Sequence, residues 1–166
     1  MNSGKRVGIF MALVLAGLLG LYLYKKYRIA PSIPLLEQQV IDAAGNKSDL
    51  SAYKGKALII SYYASWCGDC IKEMKELNSV KAEALPDVEV ICITDEPAEK
   101  LISFQQSRGF PFAFYRIGRS FHELGIHTIP VTYLVDKKGE VVYNKVGVVK
   151  WKDDSFLAHA QKLLND

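Results

Sequence analysis

The stretch "SWCGDCIKEM", Ser65 to Met74, sets two cysteines two residues apart, with one carboxylate between them at Asp69 and another three residues past the second cysteine at Glu73. Its flanks decide how it is read. Upstream lies "ALIISYYA", Ala57 to Ala64, apolar, β-branched and aromatic enough for a buried central strand. Downstream a helical pattern runs to about Ala84, ahead of Pro86, and a second apolar strand "VEVICIT", Val88 to Thr94, follows. Strand, helix, strand is a βαβ unit, and the cysteines stand at its first joint.

That placement favours a reactive thiol. Cys67 falls at the carboxyl end of a central strand, where open α/β sheets bind ligands, and at the start of a helix opening near Gly68. Unpaired N–H groups and the helix dipole there stabilise a thiolate and lower its pKa below about 8.5. Cys70, one turn on, lies behind within disulfide reach. Cys67 is then the nucleophile on a substrate disulfide and Cys70 the thiol that resolves the mixed disulfide.

Other readings of the pair are weaker. Half a zinc site needs a second pair of ligands, but Cys92, His122, His127 and His159 contain no pair at ligand spacing. A structural disulfide closing so short a loop constrains the unfolded chain very little. Cys92, inside "VEVICIT", reads as a core residue.

Helical geometry tests Glu73. At about 100° per residue from Cys70, Leu77, Ala84, Glu73 and Val80 share one apolar stripe, while Lys72, Lys75, Glu76 and Ser79 take the opposite face. A carboxyl in that stripe is partly desolvated, so its pKa rises and it can exchange protons with a nearby thiol near neutral pH. The plainer alternative is an acid in the first turns that suits the dipole.

Working outward, "QQVIDAAGNKSDLSAYKGK" suggests a short strand, a turn at Gly45 and Asn46 and another at Gly55. Beyond the βαβ unit come a helix over about Ala98 to Ser107, a short strand "FAFYRI", and a helical turn at Ser120 to Leu124. Strands "VTYLVD" and "EVVYNKV" flank a turn at Lys137 to Gly139, and a helix over Asp154 to Leu164 closes the chain. With 166 residues, 49% of them hydrophobic, the soluble part forms one domain, placed at 33–166. The net charge of +3 comes from basic residues scattered among acids, with no stripe of the kind that binds nucleic acid.

The N-terminus differs. "VGIFMALVLAGLLGLYLY", Val7 to Tyr24, holds no charge, and its 18 residues span about 27 Å as a helix, close to a bilayer's hydrocarbon thickness. The basic "KKYR" that follows is unlike the small-residue site of a cleaved signal peptide, so an uncleaved anchor over 7–24 is expected, with a tail at 1–6 and a linker at 25–32. Basic residues on both sides leave the positive-inside rule without a vote on orientation.

Taken together, "YYASWCGDCIKEM" and, about sixty residues later, "GIHTIPVTYLVDKKGEVV" resemble the thioredoxin superfamily. The resemblance implies an α/β thioredoxin-like fold, a central mixed sheet flanked by helices, with the CxxC facing a cis-proline at Pro130. Trp66, Ile129 and Pro130 then shape the substrate groove, and the redox-active cysteine pair serves without a further cofactor. The opening "D..G....L..YKGK", the N-terminal anchor and the Glu73 position resemble the TlpA/ResA-like branch. Its members are membrane-tethered thiol-disulfide oxidoreductases outside the bacterial cytoplasm, several of which reduce the haem-binding cysteines of apocytochrome c. By that likeness the N-terminus is cytoplasmic, the domain lies in the periplasm or its equivalent, and a membrane electron donor re-reduces the pair.

Three positions depart from the family pattern. Asp69 stands where Pro is common before the second cysteine, Lys75 where a Pro kinks the helix, and Ser61 where thioredoxin buries an Asp, which shifts proton transfer toward Glu73. The Asp69 charge beside a Cys67 thiolate raises the thiol pKa and makes the couple more reducing, while its other use is to suit the helix N-terminus. The second function the residues allow is a tethered metal-binding or copper-delivery module built on Cys67, Cys70 and His127.

Overall fold

The computed structural model describes residues 3–165. Met1 and Asn2 of the expected tail lie outside the described residues. Helix α1 covers Ser3–Arg28, longer at both ends than the apolar run. At its carboxyl end Lys25, Lys26 and Arg28 suit the negative pole of the dipole, so nothing stops the helix before the Ala30-Pro31 step, where proline disfavours helical geometry. The helix therefore takes up the first part of the expected linker, leaving 29–32 as the connection.

Strands β1 (Val40–Ile41) and β2 (Lys47–Ser48) form a hairpin where one short strand was expected; Asp42 Oδ1 accepts the N–H groups of Ala44 and Asn46 in its turn. Next come β3 (Leu58–Tyr62), α2 (Gly68–Ala84), β4 (Glu89–Thr94), α3 (Ala98–Arg108) and β5 (Ala113–Arg116). After a 3-10 turn at His122–Leu124 follow β6 (Val131–Val135), β7 (Val141–Val146) and α4 (Asp154–Asn165).

The sheet order is β2-β1-β5-β4-β3-β6-β7. β3, β4 and β5 are parallel, and β6 returns antiparallel beside β3, which makes the expected mixed sheet. All five residues of β3 and of β6 are buried, as befits strands covered on both faces. One core is filled from α2, α3 and α4, by Met74, Leu77, Leu101, Phe104 and Ala160 against Tyr63, Cys92 and Phe114. On the other face Leu35, Leu50 and Phe121, in or beside 3-10 turns, cover Ile60, Tyr62 and Tyr133. Helix α2 runs unbroken past Lys75, in keeping with the absence of a proline there.

Candidate active site

β3 ends five residues short of Cys67, which is the extended N-cap of α2. Its Sγ accepts the N–H of Cys70 at 3.1 Å, and the two cysteines are joined in a disulfide with Cα atoms 5.3 Å apart. A sulfur held on an amide at a helix N-terminus is placed for stabilisation as a thiolate when the pair is reduced. Cys70 is 1% exposed. Cys67 instead lines an open cleft of about 530 Å³ with Trp66, Gly68, Asp69, His127, Thr128 and Ile129, so a sulfur approaching from solvent meets Cys67.

The loop before the cysteines is tied down. Both the N–H and the hydroxyl of Ser65 donate to the Glu96 carboxylate, the hydroxyl at 2.8 Å, and the Glu96 N–H donates to Thr94 Oγ1 at 3.2 Å at the end of β4. Cys67 N–H closes a turn onto the Ala64 carbonyl at 3.0 Å. Trp66 consequently stands out from the surface, 76% exposed, between two clefts.

Across from Cys67, the Ile129–Pro130 peptide bond is cis, and the Pro130 carbonyl accepts the Gly147 N–H at 2.8 Å. Ile129 lines the cleft while Pro130 is buried beneath it. Asp69 is exposed on the first turn of α2.

Glu73 is buried, on the face of α2 that also carries Cys70. The Thr132 hydroxyl donates to its Oε1 at 2.7 Å and the Val149 N–H to its Oε2 at 2.7 Å. Burial pushes its pKa up to about 7, against the downward pull of those two bonds and of Lys145. Thr132 pairs in register with Ser61 on β3, and Ser61 with Cys92 on β4. The Cys92 thiol is pushed well above its ordinary range by burial first and the Glu73 charge second, which leaves it a core group.

The sites read from sequence thus fall into two layers: Trp66, Cys67, Asp69 and Ile129 around the open cleft, and Cys70 and Glu73 behind it. Thr132, Val149 and Glu96 were not read from the sequence. A lone Thr in an apolar strand two residues past Pro130 is the only local signal for the first, and a backbone N–H leaves none. His127 reaches the cleft beside Cys67, its ring 5.0 Å from that of His122. Burial, and then the Lys26 and His122 charges, hold its imidazole below the ordinary value. Among the described residues, no three His, Cys, Asp or Glu side chains converge as a metal-ligand group.

Comparison with known proteins agrees with this geometry. The Redoxin family model matches residues 30–160. The thiol-disulfide oxidoreductase ResA of Bacillus cereus is 28% identical over 146 residues, covering 81% of this chain and 83% of that protein. The thioredoxin-like protein YneN of Bacillus subtilis is 27% identical over 157 residues, covering 86% and 90%. A crystal structure described as the thiol:disulfide interchange protein DsbE of Chlorobium tepidum superposes with a TM-score of 0.68 at 18% identity, over 82% of this chain and 99% of that one. With a family model matching residues 30–160 and a disulfide-bonded CxxC just beyond its central strand, the chain belongs to the Redoxin family, as a TlpA/ResA-like thiol-disulfide oxidoreductase of thioredoxin-like fold.

Proposed function

We propose that the chain is a membrane-tethered, extracytoplasmic reductant of disulfides in exported proteins. The observation that carries the reading is Glu73: a buried carboxyl with a pKa of about 7, on the helix face of Cys70 and behind the accessible Cys67. In the reduced chain the Cys67 thiolate attacks one sulfur of a substrate disulfide, and the other leaves as a thiolate that takes up a proton. Glu73 removes the proton of Cys70, whose thiolate attacks Cys67 in the mixed disulfide and releases the second substrate thiol. Two electrons pass to the substrate and the Cys67–Cys70 disulfide remains. A membrane electron donor restores the dithiol, and no further cofactor takes part.

Trp66 and Ile129 form the surface on which the substrate backbone lies, and Pro130, buried beneath, shapes it. The Asp69 charge disfavours the Cys67 thiolate and so lowers the potential. The TlpA/ResA-like resemblance extends the substrates to the haem-binding cysteines of apocytochrome c. Helix α1 is the anchor: its Arg6–Arg28 stretch is long and apolar enough to cross a bilayer, and the apolar run from Val7 to Tyr24 is exposed along its whole length. The proposed arrangement is a single pass through the bacterial inner membrane, N-terminus in the cytoplasm and domain outside.

The test is the equilibrium reduction potential of the full chain in detergent micelles, by thiol trapping across dithiothreitol and glutathione buffers with chelator present. A value below about −240 mV is expected for a reductant; one near −120 to −180 mV would mark an oxidant or isomerase and overturn the proposal. Replacing Asp69 with Pro should raise the potential, and an unchanged or lower value would remove Asp69 from the account.

A further inference from the structure

Where β1 meets β5, the pairing stops short. The antiparallel register sets Ile41 opposite Arg116, and carried on it would set Gln39 opposite Gly118 and Gln38 opposite Arg119. Instead the chain ahead of β1 turns away through the 3-10 helix Leu35–Glu37, with Gln38 as its extended C-cap, while the Ile117 N–H donates to the Thr94 carbonyl of β4 at 2.9 Å. The two segments part around a cleft of about 420 Å³, lined by Gln38, Gln39, Gly118 and Arg119 together with Ile33, Pro34 and Glu37. It shares no residue with the clefts on either side of Trp66.

Its deepest residue holds an unused donor. Gln38 is 5% exposed; its Oε1 accepts the Tyr62 hydroxyl, and its buried Nε2 has no hydrogen-bond partner among the described residues. A buried amide donor without an acceptor costs the fold free energy that an acceptor entering the cleft restores. Arg119 stands exposed at the rim. Burial, and then Tyr133, push the Tyr62 hydroxyl far above its ordinary range, while the Gln38 bond and the Arg119 charge pull it down, so the guanidinium acts on the same spot as the Gln38 amide. Ile33 and Pro34 supply an apolar wall, and the Glu37 carboxylate, also lining the cleft, repels a second negative charge.

We infer that this cleft binds a small monocarboxylate with an apolar body. The carboxylate lies between Arg119 and the Gln38 amide, and the body lies against Ile33 and Pro34. The volume falls within the roughly 300–1,000 Å³ of small-molecule sites. The inference stands apart from the reductase reading, since no residue of the site belongs to the Cys67 cleft or to the Glu73 network.

The experiment is isothermal titration calorimetry of the full oxidised chain in detergent micelles with 3-phenylpropionate, the heats of empty micelles subtracted. Saturable binding is expected, with the uncharged 3-phenylpropionamide and the dianion phenylsuccinate each weaker by roughly tenfold or more. Arg119→Ala, at an exposed position, should weaken 3-phenylpropionate by about tenfold and leave the reduction potential unchanged. Gln38→Leu should also weaken it, and where that buried change costs the fold, Arg119→Ala still decides. The absence of saturable heat, equal affinity for the amide or the dianion, or binding that survives Arg119→Ala undiminished overturns the inference.

Discussion

Glu73 keeps its carboxyl buried between Thr132 and Val149, and that placement makes stability depend on pH with a definite sign. Its folded pKa is raised from 4.5 to about 7, so between those values the folded chain holds a proton that the unfolded chain has released. The stabilisation is complete below about pH 4.5 and lost as pH rises through 7, by roughly 3 kcal/mol in all. Urea midpoints of the oxidised chain at pH 5 and pH 8 should show this loss in the native protein and a nearly flat response in Glu73→Gln. The pH profile of kcat/KM should likewise lose an inflection near 7 in that variant, if the carboxyl exchanges protons with Cys70. At Glu96 the effect is positional: Glu96→Ala strips the acceptor from both the N–H and the hydroxyl of Ser65. A cost of about 1–2 kcal/mol is expected, together with slower thiol-disulfide exchange by a loop no longer held. Unchanged exchange kinetics would limit Glu96 to a structural role.

Helix α2 shows how far periodicity alone reaches. Counting from Cys70 put Glu73 and Leu77 on the inward stripe, and both are buried in the structure, with Lys72, Lys75 and Ser79 exposed on the other side. The strands were legible for a similar reason, since a run such as Val131 to Val135, apolar but for Thr132, marks a strand covered on both faces. What periodicity does not carry is partnership across the sheet. Thr132 and Val149 are 59 and 76 residues from Glu73, and only the β3–β6 pairing and the turn after β7 bring them to it. The Ser65–Glu96 tie is hidden similarly, because it joins the ends of two parallel strands whose register only the folded sheet sets. The element itself is tested by Leu77→Ala, which opens a cavity where α2 packs on the core. A loss of about 2–5 kcal/mol in urea unfolding is expected, without a shift in reduction potential if the helix start keeps its geometry.

Over the whole molecule, the apolar helix and the redox domain meet at a joint only four residues long, and that joint is packed. The Tyr133 hydroxyl donates to the Pro31 carbonyl at 2.7 Å, Gly125 sits against Pro31, and the Tyr27 ring meets His127 edge-on. His127 also lines the cleft at Cys67, so the end of α1 lies one residue from the catalytic surface. The disulfide and the groups set around it, by contrast, lie within residues 67–149: the α2 start, the Glu73 carboxyl, its two donors and the cis Ile129–Pro130 step. Anchor and chemistry should therefore separate cleanly. The full chain is expected to stay with membranes through an alkaline carbonate wash, while a chain lacking residues 1–28 appears in the soluble fraction with the same reduction potential. In intact cells, an impermeant maleimide should label Cys67 of the reduced full chain from outside. Labelling only after the membrane is broken would reverse the proposed orientation, and release by carbonate would remove α1 from the membrane.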